Sequence, residues 1–141
     1  MDKYFSLLNS HIFSLLSKEE TLITNIEGEN SQFIRFNNSK VRQTGLIDDM
    51  SFSMILIYNN RKTSISMTLT GMKEKDKLII SSYLEKLRNN IRCMPEDPFI
   101  VMPKLSDSSK EVYSGGLLDN KKSVDNLLPV MQGADLTGIW A

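Results

Sequence analysis

Over residues 3–17, Phe5, Leu8, Ile12, Leu15 and Leu16 recur at spacings of three and four and fall on one stripe. That period predicts an amphipathic helix. Residues 20–27 switch to alternation, with Leu22, Thr24 and Ile26 on one face, and predict a strand closed by Gly28-Glu29-Asn30. Two short strand-like runs follow, residues 33–36 and 40–43, flanking an Asn37-Asn38-Ser39 turn. Further on, Phe52, Met54, Leu56 and Tyr58 alternate with Ser53, Ile55 and Ile57, the pattern of a strand buried on one face and partly on the other. Asn59-Asn60 reads as a tight turn. Beyond it Ile65, Met67 and Leu69 alternate with Ser64, Ser66 and Thr68, predicting an amphipathic strand with one wet face.

A second helix is expected from about residue 73 to residue 93, with Thr70 available to cap it. Ile80, Leu84, Leu87 and Ile91 form its stripe, with Ile79 and Tyr83 beside it. Lys86, Arg88 and Arg92 load the C-terminal end, where the helix dipole favours cations. Pro95-Glu96-Asp97-Pro98 terminates it. Residues 99–118 read as a long surface connection, unusual in length for a compact domain. Residues 119–132 carry another amphipathic pattern through Val124, Leu127, Leu128 and Met131, with Pro129 expected to kink or split the helix. After a Gly133-Ala134-Asp135 turn, residues 136–141 read as the beginning of a strand. A chain that stops inside an apolar run is expected to be the truncated N-terminal piece of a longer polypeptide. The elements predict an α+β fold: an antiparallel sheet of about five strands packed against two to three helices.

At 141 residues the chain is one domain or part of a larger one. Its 17 basic and 17 acidic residues leave no net charge, which counts against nucleic-acid binding as the main activity. No apolar run approaches the ~18 residues of a membrane span. The start, Met1-Asp2-Lys3-Tyr4, lacks the basic-then-apolar plan of a secretory signal. The single cysteine allows no internal disulfide, so the cytoplasm is the expected compartment.

Candidate chemistry is sparse. A zinc site needs three or four ligands at workable spacing, and beyond carboxylates the chain offers only His11 and Cys93. His11 is expected at the surface or its boundary, and Cys93 as a small packing residue at a helix end. No Gly-x-Ser-x-Gly elbow occurs. Gly115-Gly116 lacks the Lys-Ser/Thr of a phosphate loop and reads as a hinge. Asp48-Asp49 reads as a turn or bulge, and Glu96-Asp97 as a rigid corner whose carboxylates cap nearby amides. The exception is the hairpin of residues 31–43. Arg35, Asn37, Lys40, Arg42 and Gln43 bring donors together without a carboxylate. Such a surface is either a basic edge that resists aggregation or a binding face for an extended chain. Gln43 can hold both a peptide N–H and a C=O.

Four segments, in order, resemble the N-terminal domain of the TldD/PmbA family of zinc metallopeptidases, closest to its TldD-related branch. Residues 31–43 resemble the family's hairpin. Asn60-Arg61-Lys62-Thr63-Ser64-Ile65-Ser66 resembles its Arg-Lys/Gln-small-Ala-Ser strand. Pro95-Glu96-Asp97-Pro98-Phe99 resembles its Pro-Glu-Asp-Pro corner, and Asp135-Leu136-Thr137-Gly138-Ile139-Trp140 its Asp-Leu-Val-Gly-Ile-Tyr strand. The likeness covers about residues 20–141. It implies a cytoplasmic two-domain protein that processes unfolded peptides and forms homo- or heterodimers with a TldD/PmbA-type subunit. The family's zinc sits in the C-terminal domain, on a His-Glu-three-residues-His helix and a later cysteine, so no metal or catalytic residue carries over to these positions. The resemblance makes this chain a non-catalytic domain, with Arg35, Asn37, Lys40, Arg42 and Gln43 lining a peptide cleft. The alternative is an interaction or regulatory module of the gyrase-modulator type without peptidase activity.

Overall fold

A computed structural model describes residues 1–103, 105–116, 118–119 and 121–141. In chain order it contains α1 (Asp2–Phe13), β1 (Thr21–Asn37), β2 (Lys40–Tyr58), β3 (Arg61–Thr68), α2 (Lys73–Ile91), α3 (Ser123–Leu127), a 3-10 turn (Leu128–Met131) and β4 (Gly138–Trp140). The fold is α+β, with one four-stranded sheet in the order β3-β2-β1-β4. No helix among the described residues is long and apolar enough to cross a membrane.

The sheet has four strands where about five are expected: the six strand-like runs of the sequence merge into four, because two expected breaks are not breaks. Gly28-Glu29-Asn30 lies inside β1, and Asp48-Asp49 lies inside β2 rather than in a turn. β1 and β2 are hydrogen-bonded neighbours in the sheet, and strand pairing of this kind overrides weak local strand preference. Gly28 is not used for a left-handed turn; a Cβ there would run into the Met1 side chain. Gly45 similarly lies under the Phe33 ring, so its missing side chain makes room for an aromatic cover.

The described residues form two compact units, Met1–Glu29 with Asp49–Met102, and Asn30–Asp48 with Pro103–Ala141. In the first, Leu8 and Ile12 of α1, Leu22 of β1, Phe52, Met54 and Leu56 of β2, Met67, Leu69, and the α2 stripe Ile80, Leu84, Leu87 and Ile91 make one buried cluster. The register follows the alternation: Phe52 pairs with Met67 and Met54 with Ile65 on the inner face, Ser53 with Ser66 on the outer. The Phe5 and Phe52 rings meet edge to face, with centroids 6.1 Å apart.

Both helices are shorter than expected. α1 stops at Phe13, where the Ser14 hydroxyl bonds the His11 carbonyl at 2.7 Å and Leu15 N–H turns back to Ile12 at 3.1 Å. A serine that bonds the preceding turn competes with helix continuation. α2 ends at Ile91, which leaves Cys93 exposed rather than packed. The N-cap position of α2 is Met72, not Thr70. Thr70 still contributes: its Oγ1 accepts from Met72 N–H at 3.3 Å and donates to Asp76 at 2.8 Å.

The second unit is smaller. Ile34, Phe36 and Met131 are buried, with Val41, Val124, Leu127 and Trp140 packed against them. β4 runs antiparallel to β1, pairing Ile34 with Trp140, Arg35 with Ile139 and Phe36 with Gly138. The helix expected over residues 119–132 is split at Pro129, which occupies the first turn of the 3-10 segment, where a missing N–H costs nothing. Described residues of the 99–116 stretch form no helix or strand, and Phe99, Val101, Leu105, Val112 and Tyr113 are exposed along it. Lys104 and Leu117 in the expected connection, and Asn120 in the expected helix, lie outside the described residues.

Candidate functional site

The hairpin tip between β1 and β2 is a two-residue turn with left-handed conformations at Asn38 (φ 50°) and Ser39 (φ 52°). Two positive φ values make the turn type I′, whose twist matches that of the strands. Asn tolerates this region; Ser normally pays about 1–2 kcal/mol for it. Three hydrogen bonds offset that cost. Ser39 N–H donates to the Leu136 carbonyl at 2.9 Å, its hydroxyl donates to the Ala134 carbonyl, and the same oxygen accepts from Leu136 N–H at 3.0 Å. Thr137 Oγ1 donates to Asn37 Oδ1 at 3.2 Å. The tip is thus riveted to the segment that leads into β4.

Strand alternation sorts four of the five candidate residues. Ile34 and Phe36 face the small core, so Arg35 and Asn37 face away; Val41 faces the core, so Lys40 and Arg42 face away. Arg35, Lys40, Arg42 and Gln43 are exposed and Asn37 is half-buried. Arg35 Nη1 donates to Gln43 Oε1 at 3.2 Å, which orients both groups. Lys40 and Arg42 form no ion pair among the described residues. Between Glu29 and Asp48 the chain carries no carboxylate, so the positive field of these three cations is not cancelled from within the hairpin. The face can hold carbonyls and carboxylates of an extended ligand. The Ser39 hydroxyl at the tip is already committed to the Ala134 carbonyl and the Leu136 N–H.

Beside the tip is a cavity of about 410 Å³, lined by Asn38, Ser39 and Lys40 on one side and by Leu128, Pro129 and Met131 to Ala134 on the other. Gly133, at φ 81°, supplies the left-handed bend that carries this wall round toward Ser39.

The segments singled out by sequence come together two by two. Within the second unit the hairpin pairs with β4. Within the first, the start of β3 grips the corner after α2. Arg61 Nε donates to the Met94 carbonyl at 2.9 Å, Arg61 Nη2 pairs with Glu96 at 2.8 Å, Lys62 Nζ pairs with Asp97 at 2.9 Å, and Asp97 N–H donates to the Asn60 carbonyl at 2.6 Å. The Lys62 hydrogen bond, with a further one from Phe99 N–H, holds the Asp97 carboxyl below its ordinary pKa. Asp97 caps the Phe99 amide as expected, whereas Glu96 is taken by the Arg61 ion pair.

Two polar centres were not anticipated. Asp76 is fully buried and accepts from Tyr4, Thr70 and Gly71. Arg88 holds Glu20 through both carboxylate oxygens at 2.8 and 2.7 Å. Both serve packing of the first unit. His11, expected at the boundary, is half-buried with Nε2 2.9 Å from Ser81 Oγ. The Ser81 hydroxyl proton goes to the Lys77 carbonyl at 2.8 Å, so Nε2 is the donor. Among the described residues no three of His, Cys, Asp or Glu group together to hold a metal. Comparisons with family models, with curated proteins and with solved structures found no match.

Proposed function

We propose that this chain is a non-catalytic domain of the TldD/PmbA N-terminal type, whose β1–β2 hairpin holds an extended peptide for a metallopeptidase partner domain. The observation that carries the reading is the exposed hairpin face, where Arg35, Lys40 and Arg42 stand with Asn37, no carboxylate intervenes, and Arg35 reaches the exposed Gln43 amide. A face of this kind suits a ligand rich in carbonyls and carboxylates, and a peptide backbone supplies them at regular intervals. The family part of the reading is supported by the pairing of its segments. The hairpin and the Asp135–Trp140 segment share a ladder, and the Arg61-Lys62 and Glu96-Asp97 segments share two ion pairs. These contacts are what supports reading the four segments together. In this reading the zinc chemistry and the cleavage of unfolded peptides belong to residues outside this chain, and a TldD/PmbA-type subunit is the dimer partner.

The test is binding of a short disordered peptide, followed by fluorescence anisotropy, to the wild type and to Arg35→Ala and Gln43→Ala. Each hydrogen bond to a charged group contributes about 1.5–3 kcal/mol, so Arg35→Ala should weaken binding about tenfold or more. Unchanged affinity in both variants would remove the hairpin from the reading.

A further inference from the structure

The cavity beside the hairpin tip has a composition that selects among peptides. Its walls combine a cation, two amide side chains and an apolar floor: Lys40, then Asn38 and Gln132, then Leu128, Pro129 and Met131. None of the residues lining it is acidic. Lys40 has no ion-pair partner among the described residues, so its charge is available. Among the described residues Asn38 and Gln132 make no side-chain hydrogen bond, whereas the groups of Ser39 are spent on Ala134 and Leu136. At about 410 Å³ the space falls near the lower end of ligand pockets, which run about 300–1,000 Å³, and admits the last one or two residues of a peptide.

We propose that this cavity binds the C-terminal end of a peptide: the terminal carboxylate at Lys40, the last peptide group at the Asn38 and Gln132 amides, and an apolar final side chain against Leu128, Pro129 and Met131. The proposal rests on the reading that the hairpin holds peptide, and adds polarity to it. Charge complementarity selects the occupant. An internal peptide segment leaves the ammonium facing only neutral carbonyls, and a terminal amine meets a like charge. A free carboxylate next to an apolar side chain satisfies both walls, and every peptide ending in Leu, Val or Phe carries that pair.

The experiment uses the chain with an N-terminally fluorescein-labelled disordered peptide ending in leucine, as the free acid and as the C-terminal amide, followed by anisotropy. The free acid should bind about tenfold more tightly than the amide, the scale of one charge-assisted hydrogen bond. Lys40→Gln should abolish that preference, Lys40→Arg should retain it, and Lys121→Gln, a cation outside the cavity wall, should leave it unchanged. Replacing the final leucine by aspartate should weaken the acid further. Equal binding of acid and amide overturns the proposal while leaving the hairpin reading intact; binding of neither form overturns both. N-acetyl-leucine binding as tightly as the peptide also overturns it, because the occupant is then a small carboxylate. Far-ultraviolet circular dichroism of each variant confirms that lost preference is not lost fold.

Discussion

Asp76 joins three parts of the first unit through one carboxylate. Tyr4 Oη of α1 donates to it at 2.7 Å, and the backbone N–H groups of Thr70 and Gly71 donate at 2.9 and 3.0 Å. Burial alone would push its pKa up; the hydrogen bonds from Tyr4, Thr70 and Gly71 outweigh that and hold the carboxyl below its ordinary value. The same contact, with burial as the larger cause, pushes the Tyr4 phenol up to about 12. The consequences for stability have opposite signs. Asp76 titrates lower folded than unfolded, so its contribution is complete above about pH 4 and is lost as pH falls through the folded value. Tyr4 titrates higher folded, so its contribution is complete below about pH 10 and is lost as pH rises toward 12. Asp76→Asn should therefore cost about 2–4 kcal/mol at neutral pH by urea unfolding, because an amide cannot accept from all three donors. The difference from wild type should shrink in acid; a constant gap from pH 7 to pH 3 rejects the assignment. The sequence carries a signal for this group. Asp76 lies four residues before Ile80, on the stripe that continues through Leu84, Leu87 and Ile91. A carboxylate in register with a buried stripe, beside a Thr-Gly pair, marks a buried cap. Five charged residues among the six from 73 to 78 hide it as a solvated helix start. The hairpin was more legible, because strand alternation and turn chemistry act locally, although the turn is Asn38-Ser39 and the expected turn residue Asn37 belongs to β1.

At the scale of elements, Arg88 fixes the passage from α1 to β1. From α2 it donates to both Glu20 oxygens and, at 2.8 Å, to the Leu15 carbonyl that the early end of α1 leaves unpaired. Glu85 adds a second ion pair one turn back. The Arg88 hydrogen bonds are the main reason that the Glu20 carboxyl lies below its ordinary pKa, against the opposing effect of burial. Glu20 is nearly buried and Arg88 about a quarter exposed, at 9% and 26%, so solvent screens the pair only in part. Arg88→Met should cost about 1–3 kcal/mol. Arg88→Lys should recover little of it, since an ammonium cannot reproduce the two-pronged contact and the carbonyl bond together. Full recovery by lysine would mean that charge alone matters. Because Glu20 titrates lower in the folded state, this contribution also fades as pH falls below about 4. Element boundaries were harder to read than element types. Every buried position of the β2 and α2 patterns follows the period of the sequence, yet the breaks at residues 28–30 and 48–49 do not occur. Punctuation residues report local preference, while long strands are decided by the neighbour that pairs with them, and that neighbour is remote in sequence. Pro129 was legible for the converse reason: its missing N–H acts locally, whatever the partner.

For the molecule as a whole, the two units differ in how much apolar surface they bury. Among the described residues twelve are buried in the first cluster and three, Ile34, Phe36 and Met131, in the second. Each fully buried aliphatic or aromatic side chain contributes about 1.5–3 kcal/mol, so the second cluster holds its segments with a fraction of the free energy available to the first. Backbone ladders do not remove the difference, because β4 contributes only three paired positions. The second unit should therefore open before the first. Native-state hydrogen exchange should give lower opening free energies for amides of α3 and β4 than for those of α2 and β3. Met131→Ala, expected to cost about 2–4 kcal/mol locally, should accelerate exchange in the second unit and leave α2 amides near their wild-type rates. Leu84→Ala should lower protection across α2 and β3. Equal acceleration of α2 by Met131→Ala would show that the chain opens as one cooperative body. The distinction bears on the candidate site, because the hairpin tip and the Leu128–Ala134 wall both belong to the smaller unit. A wall held by few buried residues yields when a ligand enters, and a ligand that fills the space above Met131 restores packing that the unit lacks by itself. A bound peptide should therefore slow exchange in α3 and β4 more than in α2, and a peptide that slows α2 first binds elsewhere.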